Sequence, residues 1–294
     1  MTTNSAQWLE GARPRTFPAA ISPVLAGTGV AIHSDSFVWW KSLLALVVAL
    51  ALQVAVNYAN DYSDGVRGTD AGRVGPMRLV GSGAARPSHV RRAAYAAFGV
   101  AAVAGTVLAL TTSWWLLVIG AVAIAAAWYY TGGTRPYGYR GLGEVSVFVF
   151  FGLVAVVGTA YVQVEALTDG VFWVACGVGV LAVAILVANN LRDLPTDEAV
   201  DKRTLAVRLG DSRTRDLFAS LHSAAYAFAF VAALLVSWWL LLAALSLPLS
   251  ARAQSAVRRG AKGSELVPVL RDTGLTELIY AVGLFAGYVV ATLT

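Results

Sequence analysis

Apolar residues in this chain come in long, almost unbroken runs separated by polar stretches. Reading between the charged stretches gives nine apolar segments, at about 16–33, 38–60, 92–111, 113–131, 144–164, 170–190, 215–236, 238–251 and 274–293. Most have the roughly twenty residues that carry a helix across the hydrocarbon of a bilayer. The eighth is the weakest, being short and containing Pro248. Connections after segments two, four, six and eight are long or basic, and those after one, three, five and seven are very short. The predicted fold class is an all-α polytopic membrane protein of about nine helices, in one domain over residues 1–294.

Charge sorts with the connections. Of the 22 Lys and Arg residues, only Lys41 falls outside the N-terminal stretch and the four long loops. The excess of bases on cytoplasmic loops then puts the N-terminus and those loops in the cytoplasm and Thr294 outside. Tryptophan gives an independent check: the pairs Trp39-Trp40, Trp114-Trp115 and Trp238-Trp239, with Trp173, sit at the predicted outer ends, where an aromatic belt lies.

Composition agrees. Hydrophobic residues make up 57% and charged residues 13%, with a mean hydropathy of +0.66; soluble domains carry about 25% charged residues. A net charge of +5 would suggest nucleic acid in a soluble protein, but here topology accounts for the bases, so the partner is the lipid bilayer and no nucleic acid is expected. The polar first dozen residues argue against a cleavable signal peptide. The single Cys176 excludes an intrachain disulfide or a cysteine-ligated zinc site, and His33, His89 and His222 share no ligand spacing.

Two carboxylate clusters stand out, each at the end of an apolar run on the basic side. The first carries Asn57, Asn60, Asp61, Asp64, Arg67 and Asp70; the second carries Asn189, Asn190, Arg192, Asp193, Asp197, Glu198, Asp201, Lys202 and Arg203. Carboxylates at the edge of hydrocarbon cost several kcal/mol each unless compensated. Asp61 and Asp64 are three apart and share a helix face, as do Asp193, Asp197 and Asp201 if the sixth helix continues past Asn190. Pro195 would remove a helix hydrogen bond there and start a separate short helix. Gly65, Gly68 and Gly72 mark a flexible loop carrying Asp70. An Asn precedes the first Asp by four residues in both clusters, which hints at an internal duplication.

Paired carboxylates on helices hold Mg²⁺ through a few oxygens and leave its other positions to phosphate and water. Metal ions with Arg and Lys donors offset the charge that builds on a departing diphosphate, and Arg67, Arg73, Arg78, Lys202 and Arg203 are placed to help. The loop 129–144 is dense in glycine and tyrosine, including Tyr130, Tyr137 and Tyr139. Its rings would shield a carbocation, stack on an aromatic acceptor, or anchor helix ends at the interface.

At these residues the chain resembles the UbiA superfamily of intramembrane prenyltransferases. Asn60-Asp61-Tyr62-Ser63-Asp64 and Asp193-Leu194-Pro195-Thr196-Asp197 match its two aspartate motifs. Residues 12–18, 60–70, 73–80, 130–133, 141–144, 189–193 and 202–205 most resemble the branch that acts on 1,4-dihydroxy-2-naphthoate in menaquinone biosynthesis. Many members have a further Asp where this chain has Gly68; the menaquinone-type pattern places it two residues later, at Asp70.

The resemblance implies helices around a central cavity capped by cytoplasmic loops, in a bacterial cytoplasmic membrane. It implies Mg²⁺-dependent transfer from a polyprenyl diphosphate to 1,4-dihydroxy-2-naphthoate, with loss of the ring carboxylate as CO₂. Asp61, Asp64, Asp193 and Asp197 would bind Mg²⁺, supported by Asn57 and Asn60, while Arg67, Lys202 and Arg13 would contact phosphate oxygens. Arg78, Asp70, Tyr130 and Tyr137 complete the expected substrate site. Other acceptors (4-hydroxybenzoate, homogentisate or a porphyrin) stay open within the class, and a cation-coupled transporter outside it. A transporter more often places its charges near the bilayer midplane.

Overall fold

A computed structural model of the chain describes residues 4–69 and 77–294, so Asp70, Gly72 and Arg73 lie outside the described residues. Among the described residues eight helices are long and apolar enough to cross a membrane: Ser5–His33, Trp39–Arg67, Pro87–Leu110, Gly143–Val164, Val171–Ala199, Leu205–Leu235, Trp238–Arg258 and Gly263–Leu293. A shorter apolar helix, Leu116–Tyr129, lies fourth in the chain. Together these are the nine expected segments, in order, with polar extensions at their ends. The second and sixth have 29 residues each. At 1.5 Å per residue each is about 44 Å long, against a hydrocarbon core of about 30 Å, so their last turns stand in the polar zone.

The sixth helix is the axis of the bundle. Of its most apolar window 78% is buried, against 33% for the second and 28% for the fifth. It packs on the fifth, seventh and ninth helices. Its closest approach to the fifth needs glycine on both sides: a Cβ on Gly152 would stand 2.7 Å from the Gly179 Cα. Close backbone approach of this kind is what holds helices together in lipid, where apolar burial between them gains little.

Two expectations change. The sixth helix runs through Pro195 without a break, from Val171 to Ala199, so no separate helix begins there. The first helical residues lie before residue 16: Ser5–Ala12 is helical, started by Asn4 and Gln7, which cap each other's backbone N–H groups. Arg13 ends that turn in the left-handed conformation, and Pro14 opens the next. The short helix docks on the second span, where the Tyr58 hydroxyl donates to the Trp8 carbonyl at 2.9 Å.

The end opposite the acid clusters explains the one stray base. Lys41 is buried, and its Nζ donates to the carbonyls of Val162 (2.5 Å) and Thr111 (3.3 Å) and stands 3.7 Å from the Glu165 carboxylate. It caps carbonyls at the ends of the third and fifth helices, where the helix dipole favours a cation. Trp39, Trp114 and Trp238 lie exposed at this same end.

Candidate active site

Both clusters sit at helix C-termini, where the dipole is negative and a carboxylate is doubly unfavourable. Each acid therefore has to be met by donors. Asp61 and Asp64, on the second helix, are only 1% and 3% exposed. The two oxygens of Asp61 accept from the backbone N–H groups of Leu79 (2.7 Å) and Val80 (3.0 Å). The loop comes this close because residue 65 is glycine: a Cβ there would stand 2.5 Å from the Val80 side chain. Asp61, expected among the metal ligands, holds the 78–80 loop through these two bonds. That loop delivers Arg78, whose Nη2 lies 3.8 Å from Asp64 Oδ2.

In the second cluster the donors are cations. Arg192, 6% exposed, clasps Asp193 with two bonds (Nε to Oδ1 at 2.7 Å, Nη2 to Oδ2 at 2.8 Å) and donates to Asn189 Oδ1 at 2.7 Å. Lys202 Nζ stands 3.5 Å from Asp197 Oδ1. Asn190 ties this helix to the start of the fifth by donating to Glu144 at 2.9 Å. Asp201, expected on the same face, falls past the helix end in the left-handed region, exposed and paired with Arg203 at 2.9 Å. The helix stops at Ala199, so the expected periodicity has nothing to carry it.

The tyrosine-rich loop joins the clusters. The Tyr139 hydroxyl donates to Asp64 Oδ1 at 2.6 Å. Its ring takes the Arg67 guanidinium at 5.5 Å and Lys202 Nζ at 5.0 Å. Burial first, then the Glu144 carboxylate, the Tyr137 phenol and the Asp64 and Asp197 carboxylates hold the Tyr130 phenol well above its ordinary pKa. Tyr137 does something else: its hydroxyl is bonded to the Ala126 carbonyl (2.7 Å) and Ser146 Oγ (2.9 Å), pinning the loop to the fourth and fifth helices. Its hydroxyl is thus used within the loop and the neighbouring helices.

The remaining candidates divide in the same manner. Arg67 spends guanidinium protons on the carbonyls of Thr131 and Gly133, and Asn60 Oδ1 accepts from Thr131 Oγ1 at 2.8 Å, so both fix this loop. Asn57 donates to the Ala12 carbonyl (2.9 Å) and Thr16 Oγ1 (3.2 Å), a bond between helices rather than toward a ligand. Beside it, Arg13 Nη2 and Gln53 Oε1 are buried polar atoms without a hydrogen-bond partner among the described residues. A buried polar atom left so is costly, and these two offer a cation and an acceptor to a polar group. Asp70 lies outside the described residues.

Three contributors had no role of their own assigned from the sequence: Tyr139 beyond its place in the tyrosine-rich loop, Arg192 and Gln53. Arg192 carried a signal, being an arginine in the last turns of an apolar helix beside an Asp. Gln53 lies one turn before Asn57 on an otherwise apolar helix. Tyr139 had no local mark to separate it from Tyr137. Among the described residues no three His, Cys, Asp or Glu side chains gather closely enough to hold a cation alone. The carboxylates stand instead in separate groups, each with cationic neighbours.

Residues 20–265 match the UbiA prenyltransferase family. The chain is 56% identical to 1,4-dihydroxy-2-naphthoate octaprenyltransferase of Mycobacterium tuberculosis, over 94% of each chain. It is 37% identical to the protein of that name from Escherichia coli, over 95% of this chain and 94% of the other. A UbiA homologue from Archaeoglobus fulgidus, solved with DMAPP and Mg²⁺, superposes with a TM-score of 0.67 over 96% of this chain and 99% of its own, at 14% identity. That last likeness speaks for the fold alone.

Proposed function

Since this chain belongs to the UbiA prenyltransferase family, we propose that it transfers a polyprenyl group from its diphosphate to 1,4-dihydroxy-2-naphthoate, with loss of the ring carboxylate as CO₂. The product is the demethylated precursor of menaquinone. The cluster-bearing end faces the cytoplasm of a bacterial plasma membrane, as the loop bases imply. The carrying observation is that the two acid clusters, far apart in sequence, converge at one end of the bundle and are joined through Tyr139 and Lys202. The activity named for the two relatives supplies the acceptor.

The residues present fit Mg²⁺. That ion prefers one or two carboxylates together with substrate phosphates over an all-protein cage, and the clusters are divided in that way. Asp64, Asp193 and Asp197 would hold it; when bound, it offsets the charge developing on the leaving diphosphate.

The chain's own groups do the rest. Arg78 and Lys202 lie against the carboxylates and donate to the phosphate oxygens, with Arg13 adding its unsatisfied guanidinium edge. Asp61 keeps Arg78 in place through the loop backbone. Tyr130, in the loop that joins the clusters, would offer its ring to the positive charge that develops on the allylic carbon. The isoprenoid tail stays among the apolar helix faces below, so its length need not be matched by a polar wall.

The test is an assay on membranes containing the chain, with farnesyl or geranylgeranyl diphosphate, Mg²⁺, and the naphthoate or 4-hydroxybenzoate in parallel. A prenylated naphthoquinol with CO₂ release is expected, stopped by EDTA and restored by Mg²⁺. Transfer to hydroxybenzoate alone would overturn the acceptor, and turnover after exhaustive chelation would overturn the metal.

A further inference from the structure

We propose that Tyr139 is a positioning residue that sets the two acid clusters at the spacing one diphosphate requires. The proposal rests on the diphosphate reading above. A continuous line of contacts runs from the second helix to the end of the sixth: Asp64 Oδ1 to the Tyr139 hydroxyl at 2.6 Å, the ring to Lys202 Nζ at 5.0 Å, and Lys202 to Asp197 Oδ1 at 3.5 Å. Tyr139 serves this line with both of its parts: the hydroxyl orients one carboxylate, and the ring seats the cation that pairs with the other.

The surroundings hold Tyr139 in that position. Arg67 packs on the ring at 5.5 Å while its other edge is bonded to the carbonyls of Thr131 and Gly133. The turn bearing Tyr139 ends at Gly141, whose φ of 71° suits glycine and whose missing side chain leaves room for Arg208, 3.0 Å from where a Cβ would stand. An interfacial tyrosine that merely anchored the loop would aim its hydroxyl outward, as amphipathic rings do in the headgroup zone. This one is aimed at a carboxylate only 3% exposed. Tyr137, two residues away, is the built-in control, because its hydroxyl is used entirely within the loop and neighbouring helices.

The two parts of Tyr139 can be separated in the purified full-length chain by following its melting with Mg²⁺ and inorganic diphosphate as probes. Hydrogen-bond partners of ligating carboxylates typically contribute 10–100-fold in metal affinity, so Tyr139→Phe should raise the half-saturating Mg²⁺ concentration about tenfold at saturating diphosphate. Because the ring remains, half-saturation by diphosphate at saturating Mg²⁺ should match the wild type, while the ligand-free melting point falls modestly for the lost hydrogen bond. Tyr139→Leu should weaken both, and Tyr137→Phe neither. If Tyr139→Phe matches a wild type that is itself stabilised by the probes, or shifts only the ligand-free melting point, the assignment is overturned while the diphosphate reading stands. If the wild type is not stabilised at all, the diphosphate reading falls and the role of Tyr139 falls with it.

Discussion

The two acid clusters occupy matching ends of two 29-residue helices, yet their carboxylates are satisfied by opposite means. In the first, Asp61 takes backbone amides and Asp64 takes a phenol, with the Arg78 guanidinium 3.8 Å from Asp64. In the second, Asp193 is clasped at 2.7 Å and 2.8 Å by a guanidinium that is itself buried, and Asp197 faces an ammonium. Amides and a phenol hold the first cluster's carboxylates in fixed orientation, with Arg78 close to Asp64. Counter-charges make the second nearly self-sufficient, and dependent on both partners being present. Helix ends with similar acids can thus fail in different ways when a side chain is lost.

The sharpest way to break the comparison is to neutralise one acid in each cluster. Asp64→Asn and Asp193→Asn should both remove prenyl transfer, but only Asp193→Asn should also lower stability greatly. It leaves Arg192 buried beside a neutral group, and breaking a buried pair costs about 3–5 kcal/mol. Transfer assays beside melting curves separate the two; equal melting points in the variants would erase the distinction.

Removing the cation tests the same contrast from the other side. Arg192→Met should destabilise the apo chain by a similar amount, and Mg²⁺ should recover more of its melting temperature than it adds to the wild type, since the ion would replace the lost charge beside Asp193. No difference in Mg²⁺ response would count against a metal at that carboxylate.

Asp61→Asn sharpens the view of the first cluster. A carboxamide has one acceptor where the loop needs two, so one bond between a charged group and an amide is lost, worth about 1.5–3 kcal/mol. Hydrogen exchange at the Leu79 and Val80 amides should accelerate, with half-saturating Mg²⁺ little changed. A loss of Mg²⁺ affinity as large as that of Asp64→Asn would restore Asp61 to the metal ligands. The smallest effect belongs to Tyr137→Phe, which should cost about 1 kcal/mol of stability for its hydrogen bonds and leave turnover close to wild type.

Much of this architecture was legible beforehand, for reasons that differ by residue. The apolar runs marked the nine helices because transfer into hydrocarbon is a sum over consecutive residues. Lys41 stood out as the lone outer base, although its use as a cap for two helix ends was not visible. Pro195 misled: the chain needs only its local backbone to stay helical, and Val171–Ala199 keeps it so. Asp201 misled in the opposite direction, since spacing assumes a helix that ends two residues earlier. Glu277 drew no notice as a lone acid in the last span, yet it is fully buried with neither oxygen hydrogen-bonded among the described residues.

By itself the sequence determined the all-helical, multi-span character of the chain, the side on which the bases gather and the positions of the acids along two helices. All three follow from transfer energies and helical spacing, which depend on neighbours a few residues away. Only the tertiary structure decided what each acid does. The partner of Asp64 is 75 residues away in the chain, and the amides held by Asp61 are 18 and 19 residues on. Tyr137 and Tyr139 are two residues apart in one turn, and which of them meets a carboxylate depends on how that turn is seated between the helices. That seating is a property of packing and loop closure, and no local pattern encodes it.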